Sequence, residues 1–202
     1  YQCDWSSDVC SSDLWSNKRY TIGPEAEARI LGSWPTTSDT GVWSTTGWNK
    51  ALEKKEAIGP LVMAVDVALF GSDTTVICAR RGAKLIHFEQ LIQQDLPAIR
   101  TRCLELLSNL GEPGAPVYFD ADGLGAGLQH NGDRQFIPYR GSGRPILSQY
   151  NNRRTETILW LAKQAEEGKV DITILSKDQQ HELRTELFAH QWSLNKIGRA
   201  HV

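Results

Sequence analysis

Two stretches decide the fold: LVMAVDVALF at residues 61–70 and VYFD at residues 117–120. Both are rich in β-branched, aliphatic and aromatic residues, as buried strands are, and each carries one aspartate, Asp66 inside the first and Asp120 at the end of the second. A carboxylate in an apolar strand is costly to bury unless something compensates it, and a divalent cation is one compensation. If the two strands are neighbours, their acids converge at one sheet surface and offer hard oxygen ligands to Mg²⁺ or Mn²⁺. Two such ions about 4 Å apart activate a water and stabilise the leaving oxygen of a phosphodiester. The alternative for either acid taken alone is a turn cap at a strand end, where Asp is common. Asp122, two residues beyond Asp120, is the second-choice ligand, with an Asp-Gly turn as its competing role.

Outward from these strands, the first run is followed by Gly-Ser-Asp, with Asp73 as a turn residue, and then by TTVICAR (residues 74–80) and a third run over 84–88. This pattern predicts an antiparallel meander. Residues 97–110 change period: Ile99, Cys103, Leu106, Leu107 and Leu110 share a helical face, Pro97 suits the first turn, and Gly111 follows the end. After VYFD come DGLGAG, a short helix and a strand over 135–139. A helix over 152–167 places Ile158, Leu161, Ala162 and Ala165 on one side, and a last helix over 178–191 is anchored by Leu183 and Leu187. The order predicts an α/β fold with a mixed sheet flanked by helices. Residues 15–60, rich in Trp, Gly, Thr and Ser, read as a connector packed by its tryptophans, and residues 61–196 as the domain proper.

The two ends read differently. IGRAHV (residues 197–202) can be written ATC GGA AGA GCA CAC GTC, whose reverse complement translates as DVCSSD, the string at residues 8–13. The nucleotides resemble a common sequencing-library adapter, so residues 1–14 and 197–202 are expected to be adapter-derived and are set aside from fold reasoning. Without these 14 and 6 residues, 182 of the 202 remain. The formal charge of −2 becomes zero, because Asp4, Asp8, Asp13 and Arg199 leave with them. Cys78 and Cys103 alone are left of four cysteines, which gives a disulfide framework no support. The longest apolar stretch is about half the roughly 20 residues a spanning helix needs, so no membrane segment is expected.

Basic residues cluster at Arg80 and Arg81, at Arg140 and Arg144, and at Arg153 and Arg154. All six are candidate contacts to DNA phosphates, with a solvated face as the ordinary alternative. The loop Arg140-Gly141-Ser142-Gly143-Arg144 is the best of them, since glycine freedom between two guanidiniums suits a phosphate backbone. Gly123, Gly125 and Gly127 do not form a dinucleotide fingerprint, and they read instead as permitting close backbone approach beside the acid. No Walker A motif occurs, and the histidines lack metal-ligand spacing.

In this order and spacing, MAVDVALFGSDTTVICARRG (residues 63–82), VYFDADGLGAG (117–127) and YNNRRTETILWLAKQAEEGKVDI (150–172) resemble the nuclease domain of tailed-phage terminase large subunits. ARILGSWP (28–35) and GVWS (41–44) look like the stretch joining the packaging ATPase to that nuclease. The resemblance implies an RNase H-like endonuclease that cuts concatemeric double-stranded DNA with Mg²⁺ or Mn²⁺ in the cytoplasm of an infected bacterium. A terminase small subunit and a portal protein would be its partners. Asp66 and Asp120 match the family's first two acids. The third usually lies on a later helix, so the domain is expected to be C-terminally truncated, with weak metal binding or no cutting. Three rival readings remain: an actin-like small-molecule kinase, a Holliday-junction resolvase of the same fold, and a catalytically dead DNA-binding module.

Overall fold

Alternation along the strands builds a sheet with two unlike faces. The computed structural model describes residues 41–68, 73–130, 132–194 and 200–202, all within one unit spanning Thr40–Val202. The first of the terminal strings and most of the connector, Trp34 included, lie outside the described residues. Strand β1 (Leu61–Asp66) pairs antiparallel with β2 (Thr74–Arg81), which pairs antiparallel with β3 (Lys84–Ile92). Strand β4 (Val117–Asp120) lies parallel to β1 on its other side, and β5 (Phe136–Tyr139) lies parallel to β4. The resulting order β3-β2-β1-β4-β5, an antiparallel meander extended by parallel strands, is the RNase H-like arrangement.

Strand β1 stops at Asp66, four residues before the apolar run does. Ala68 leaves the ladder because both its backbone groups bond to the buried Thr75 hydroxyl, each at 3.0 Å. Residues 69–72 of the expected turn lie outside the described residues.

One sheet face is closed by α2 (Leu96–Asn109), which follows α1 (Thr45–Ala51). Asp95 caps α2 by accepting the Ala98 N–H at 2.8 Å, and Ile99, Cys103, Leu106 and Leu107 pack on Met63, Val65, Ile77, Val117, Phe119 and Phe136. Burial pushes the Cys103 thiol up to about 12, so it stays a neutral core group. The opposite face is more open, with Ala64 exposed and Tyr118 39% exposed.

Helix α3 (Arg153–Glu166), capped by Asn152, buries Ala162 and Ala165 with Ile158 against Val42 and Trp43 in a second core. Leu161, expected on that same face, is 39% exposed at its margin and lines a cleft with Trp160, Val170 and Gly82. Leu187 of α4 (Lys177–Ala189) joins the second core. Because Trp43 and Trp48 are buried, and Lys50 Nζ donates to the Glu166 carbonyl at 2.7 Å, residues 41–51 are built into the same unit as the sheet. At the other end, Ala200–His201 forms a two-residue ladder with Ser193–Leu194.

Asp171, singled out by no sequence pattern, is fully buried and joins three segments. Its carboxylate accepts the Lys55 N–H at 2.7 Å and the N–H and hydroxyl of Thr173 at 2.8 and 2.7 Å, with Lys84 Nζ 4.0 Å away. Its backbone bonds Ala83 and Leu85 in the β2–β3 hairpin, at 2.9 Å each. Burial pushes the carboxyl up, but the hydrogen bonds from Lys55 and Thr173, with the Lys84 charge, outweigh it and hold the pKa below the usual range. Its stabilisation is therefore complete above the ordinary carboxylate pKa and fades as pH falls through the depressed value. Asp171→Ala is expected to lower the unfolding free energy by roughly 1–3 kcal/mol at pH 7, since it strands buried donors. Urea denaturation measures this, and the gap to wild type should narrow below about pH 4.

Candidate metal and DNA site

Parity brings Asp66 and Asp120 together. In β1, Met63 and Val65 point into the α2 core, so Ala64 and Asp66 point the other way. In β4, Val117 and Phe119 are buried, so Tyr118 and Asp120 take the opposite face. The parallel pairing Met63↔Val117, Ala64↔Tyr118, Val65↔Phe119 leaves the two aspartates one step past the last paired positions, on strands about 4.8 Å apart. Both line one open groove of about 360 Å³ with Ala64, Tyr118, Tyr139 and Thr157.

The two carboxylates differ in what already holds them. Asp66 is exposed, and its carboxylate has no hydrogen bond or ion pair to any described residue. Asp120 Oδ1 accepts the Asp122 N–H at 2.9 Å, and Oδ2 lies 3.8 Å from Arg154 Nη2. Two adjoining carboxylates, one unpartnered and one oriented, are a donor set that fits Mg²⁺ or Mn²⁺. Among the described residues no group of three or more His, Cys, Asp or Glu converges, so the described part of the site supplies two acids.

Asp122 is engaged elsewhere: its Oδ2 accepts the Ser142 N–H at 2.6 Å and its Oδ1 accepts the Ser142 hydroxyl at 2.9 Å. The backbone bond from Ser142 is the main cause that holds the Asp122 carboxyl below its ordinary pKa, assisted by the Ser142 hydroxyl and by Arg154 and Arg140.

The six arginines separate into three groups. Arg81 pairs along the ladder with Leu61, five residues from Asp66 and therefore roughly 17 Å along the strand. Arg81 also pairs with Glu112, and Arg80 donates to the Gly82 carbonyl at 2.8 Å, so this pair sits at the far end of the sheet. Arg153 is half-exposed, with Nε 3.7 Å from the buried Glu156 carboxylate and Nη2 donating to the Arg144 carbonyl at 3.4 Å. Arg140, Arg144 and Arg154 are exposed, and Arg140 and Arg154 are close enough to Asp122 to lower its pKa. Sequence reasoning missed Glu156, whose carboxylate accepts the N–H groups of Ile146 and Leu147 at 2.8 and 2.9 Å. Its place in the first turn of a helix was the available signal.

Gly125 bears out the expected close approach beside the acid, for a Cβ there would lie 2.4 Å from the Asp120 carbonyl oxygen. Leu124–Leu128, a short 3₁₀ turn, can thus fold directly against the end of β4.

No protein-family model matches the chain, and no curated protein matches it in sequence. In three dimensions it is similar to the nuclease domain of the large terminase subunit gp2 of bacterial virus Sf6. The TM-score is 0.63 at 18% identity, over 80% of this chain and 86% of that one. It is also similar to the large terminase nuclease of thermophilic phage G20c with bound magnesium, with a TM-score of 0.53 at 14% identity over 81% of this chain and 87% of that one. A mutant of the Sf6 domain with manganese superposes with a TM-score of 0.61 at 18% identity, over 80% of this chain and 87% of that one. At these identities the likeness establishes the fold: the chain has the RNase H-like architecture of terminase nuclease domains.

Gly125→Ala should displace the 3₁₀ turn from the Asp120 carbonyl and lower stability by about 1–3 kcal/mol. Gly123→Ala, whose added methyl meets nothing within 4 Å, should have a much smaller effect. Thermal unfolding of the two variants compares them.

Proposed function

We propose that the chain is the DNA-cutting domain of a viral packaging terminase large subunit, a metal-dependent endonuclease acting on concatemeric double-stranded DNA. The observation that carries this reading is the placement of Asp66 and Asp120 on adjoining parallel strands, facing one groove. The likeness to nuclease domains of phage large terminases, one with magnesium and one with manganese, supports it. Asp66 and Asp120 would hold the cation, and a bound Mg²⁺ or Mn²⁺ supplies Lewis-acid stabilisation of phosphodiester oxygens and an activated water.

The chain's own groups do the rest. Asp66 has no competing partner among the described residues, so its carboxylate is free to ligate. Asp120 is oriented in advance by the Asp122 N–H. Arg154 sits at the rim of the groove, where a guanidinium can meet a phosphate oxygen. Arg140 and Arg144 extend the positive edge, while Arg80 and Arg81 lie too far along the sheet to share the phosphate at the acids. The terminase small subunit and the portal protein are the partners this reading assigns, and the host cytoplasm is its place of action. A resolvase of the same fold would use a similar acid pair and differ in substrate.

The test is Mn²⁺ binding by calorimetry together with nicking of supercoiled plasmid. Asp66→Asn and Asp120→Asn should each weaken Mn²⁺ binding and any nicking by at least about 100-fold. Unchanged Mn²⁺ binding in both variants would refute the reading. Preference for a four-way junction over plasmid would favour the resolvase.

A further inference from the structure

Asp122 lies two residues from an acid of the proposed site, yet both of its oxygens are already committed to the loop that follows β5. Oδ2 accepts the Ser142 N–H at 2.6 Å, Oδ1 accepts the Ser142 hydroxyl at 2.9 Å, and Arg154 Nη2 approaches to 4.0 Å. That loop is fixed from a second side by α3. The Gly143 carbonyl accepts the Arg153 N–H at 2.9 Å and the Gly141 carbonyl accepts the Arg154 N–H at 2.8 Å. These are first-turn donors that a helix leaves without intrahelical partners. Gly141 is packed so closely that a Cβ there would lie 2.9 Å from Arg154 Nε. Glu156 pins the chain further on through Ile146 and Leu147.

A turn with glycine on both sides of Ser142 has much backbone freedom to lose when it binds anything. Fixing it in advance removes that cost from the binding step. Asp122 supplies the side of this fixation nearest the acid pair, and it does so through the residue midway between Arg140 and Arg144.

We propose that Asp122 is a positioning residue and not a cation ligand: it docks the 140–144 turn beside Asp66 and Asp120, so that Arg140, Arg144 and Arg154 together meet the phosphate backbone of the DNA. This inference rests on the nuclease reading above and adds to it a division of labour between neighbouring acids. Asp120 faces the cation, while Asp122 holds the cationic loop.

The full chain serves for the test, with Asp122→Ala, Asp122→Asn and Ser142→Ala compared with wild type. Binding of a fluorescent 30-base-pair duplex is followed in EDTA and in Ca²⁺, Mn²⁺ affinity is measured by calorimetry, and trypsin cleavage after Arg140 reports on docking of the loop. Asp122→Ala should weaken duplex binding by about tenfold and flatten its salt dependence by about one unit of slope for each phosphate that is no longer neutralised. It should speed cleavage after Arg140 and leave Mn²⁺ affinity within about twofold, well inside the 10–100-fold loss that follows even from removing a group behind a ligand. Asp122→Asn keeps one acceptor and should fall between; Ser142→Ala keeps the backbone donor and should also fall between. A tenfold or greater loss of Mn²⁺ affinity in Asp122→Asn, with duplex binding and trypsin cleavage unchanged, would make Asp122 a ligand and overturn the proposal alone. Wild-type protein that binds neither Mn²⁺ nor duplex overturns the nuclease reading and this role with it. Circular dichroism confirms that each variant is folded, and the two milder variants decide the matter should Asp122→Ala unfold.

Discussion

The structure depends on the parallel pairing of β1 with β4. Strands in a sheet alternate their side chains with a period of two, so the apolar residues that must reach α2 dictate where every other residue points. Met63 and Val65 in one strand and Val117 and Phe119 in the other are all buried in the same core. Their burial drives Asp66 and Asp120 to the opposite face, and the register then leaves them side by side. Sliding one strand by a single residue would put its aspartate into the hydrophobic core, where an uncompensated carboxylate costs several kcal/mol. The packing that stabilises the sheet is thus also what selects the geometry of the site.

On the far side of the sheet the chain is held by polar contacts more than by a continuous core. Helix α3 gives its small apolar residues to Trp43 and its N-terminal turn to the 140–144 loop, and leaves Trp160 54% exposed near the sheet. Three carboxylates carry much of this organisation. Asp171 ties the hairpin to the segment after α3, Asp122 ties Ser142 to the end of β4, and Glu156 ties residues 146 and 147 to α3. Each accepts backbone N–H groups that would otherwise go unpaired, which is why a formally charged residue can sit at such positions. The groove at the acids is consequently open and polar at its rim and apolar at its floor.

Local pattern alone was sufficient for the meander, the α2 helix with its proline start and glycine stop, and the two acids on apolar strands. Each of these rests on periodicity or capping confined to fewer than about fifteen residues. The same local logic assigned Leu161 to the buried face of α3, because helical spacing defines a face without saying how wide the partner surface is. It likewise offered three arginine clusters as candidate phosphate contacts without fixing their distance from the acids; the ladder places Arg80 and Arg81 at the far end of the sheet, and Arg153 reaches toward Glu156.

What the amino-acid sequence determined by itself was which residues are strands and helices, and that two aspartates stand where apolar neighbours make them conspicuous. Only the tertiary structure decided that the two strands adjoin in parallel, that Asp122 belongs to Ser142, and that Asp171 and Glu156 are structural anchors. The physical reason is that strand pairing and side-chain hydrogen bonds join residues far apart in the chain, 116 positions in the case of Lys55 and Asp171. Such closures are chosen by the burial of the whole core, and no short window of sequence contains them.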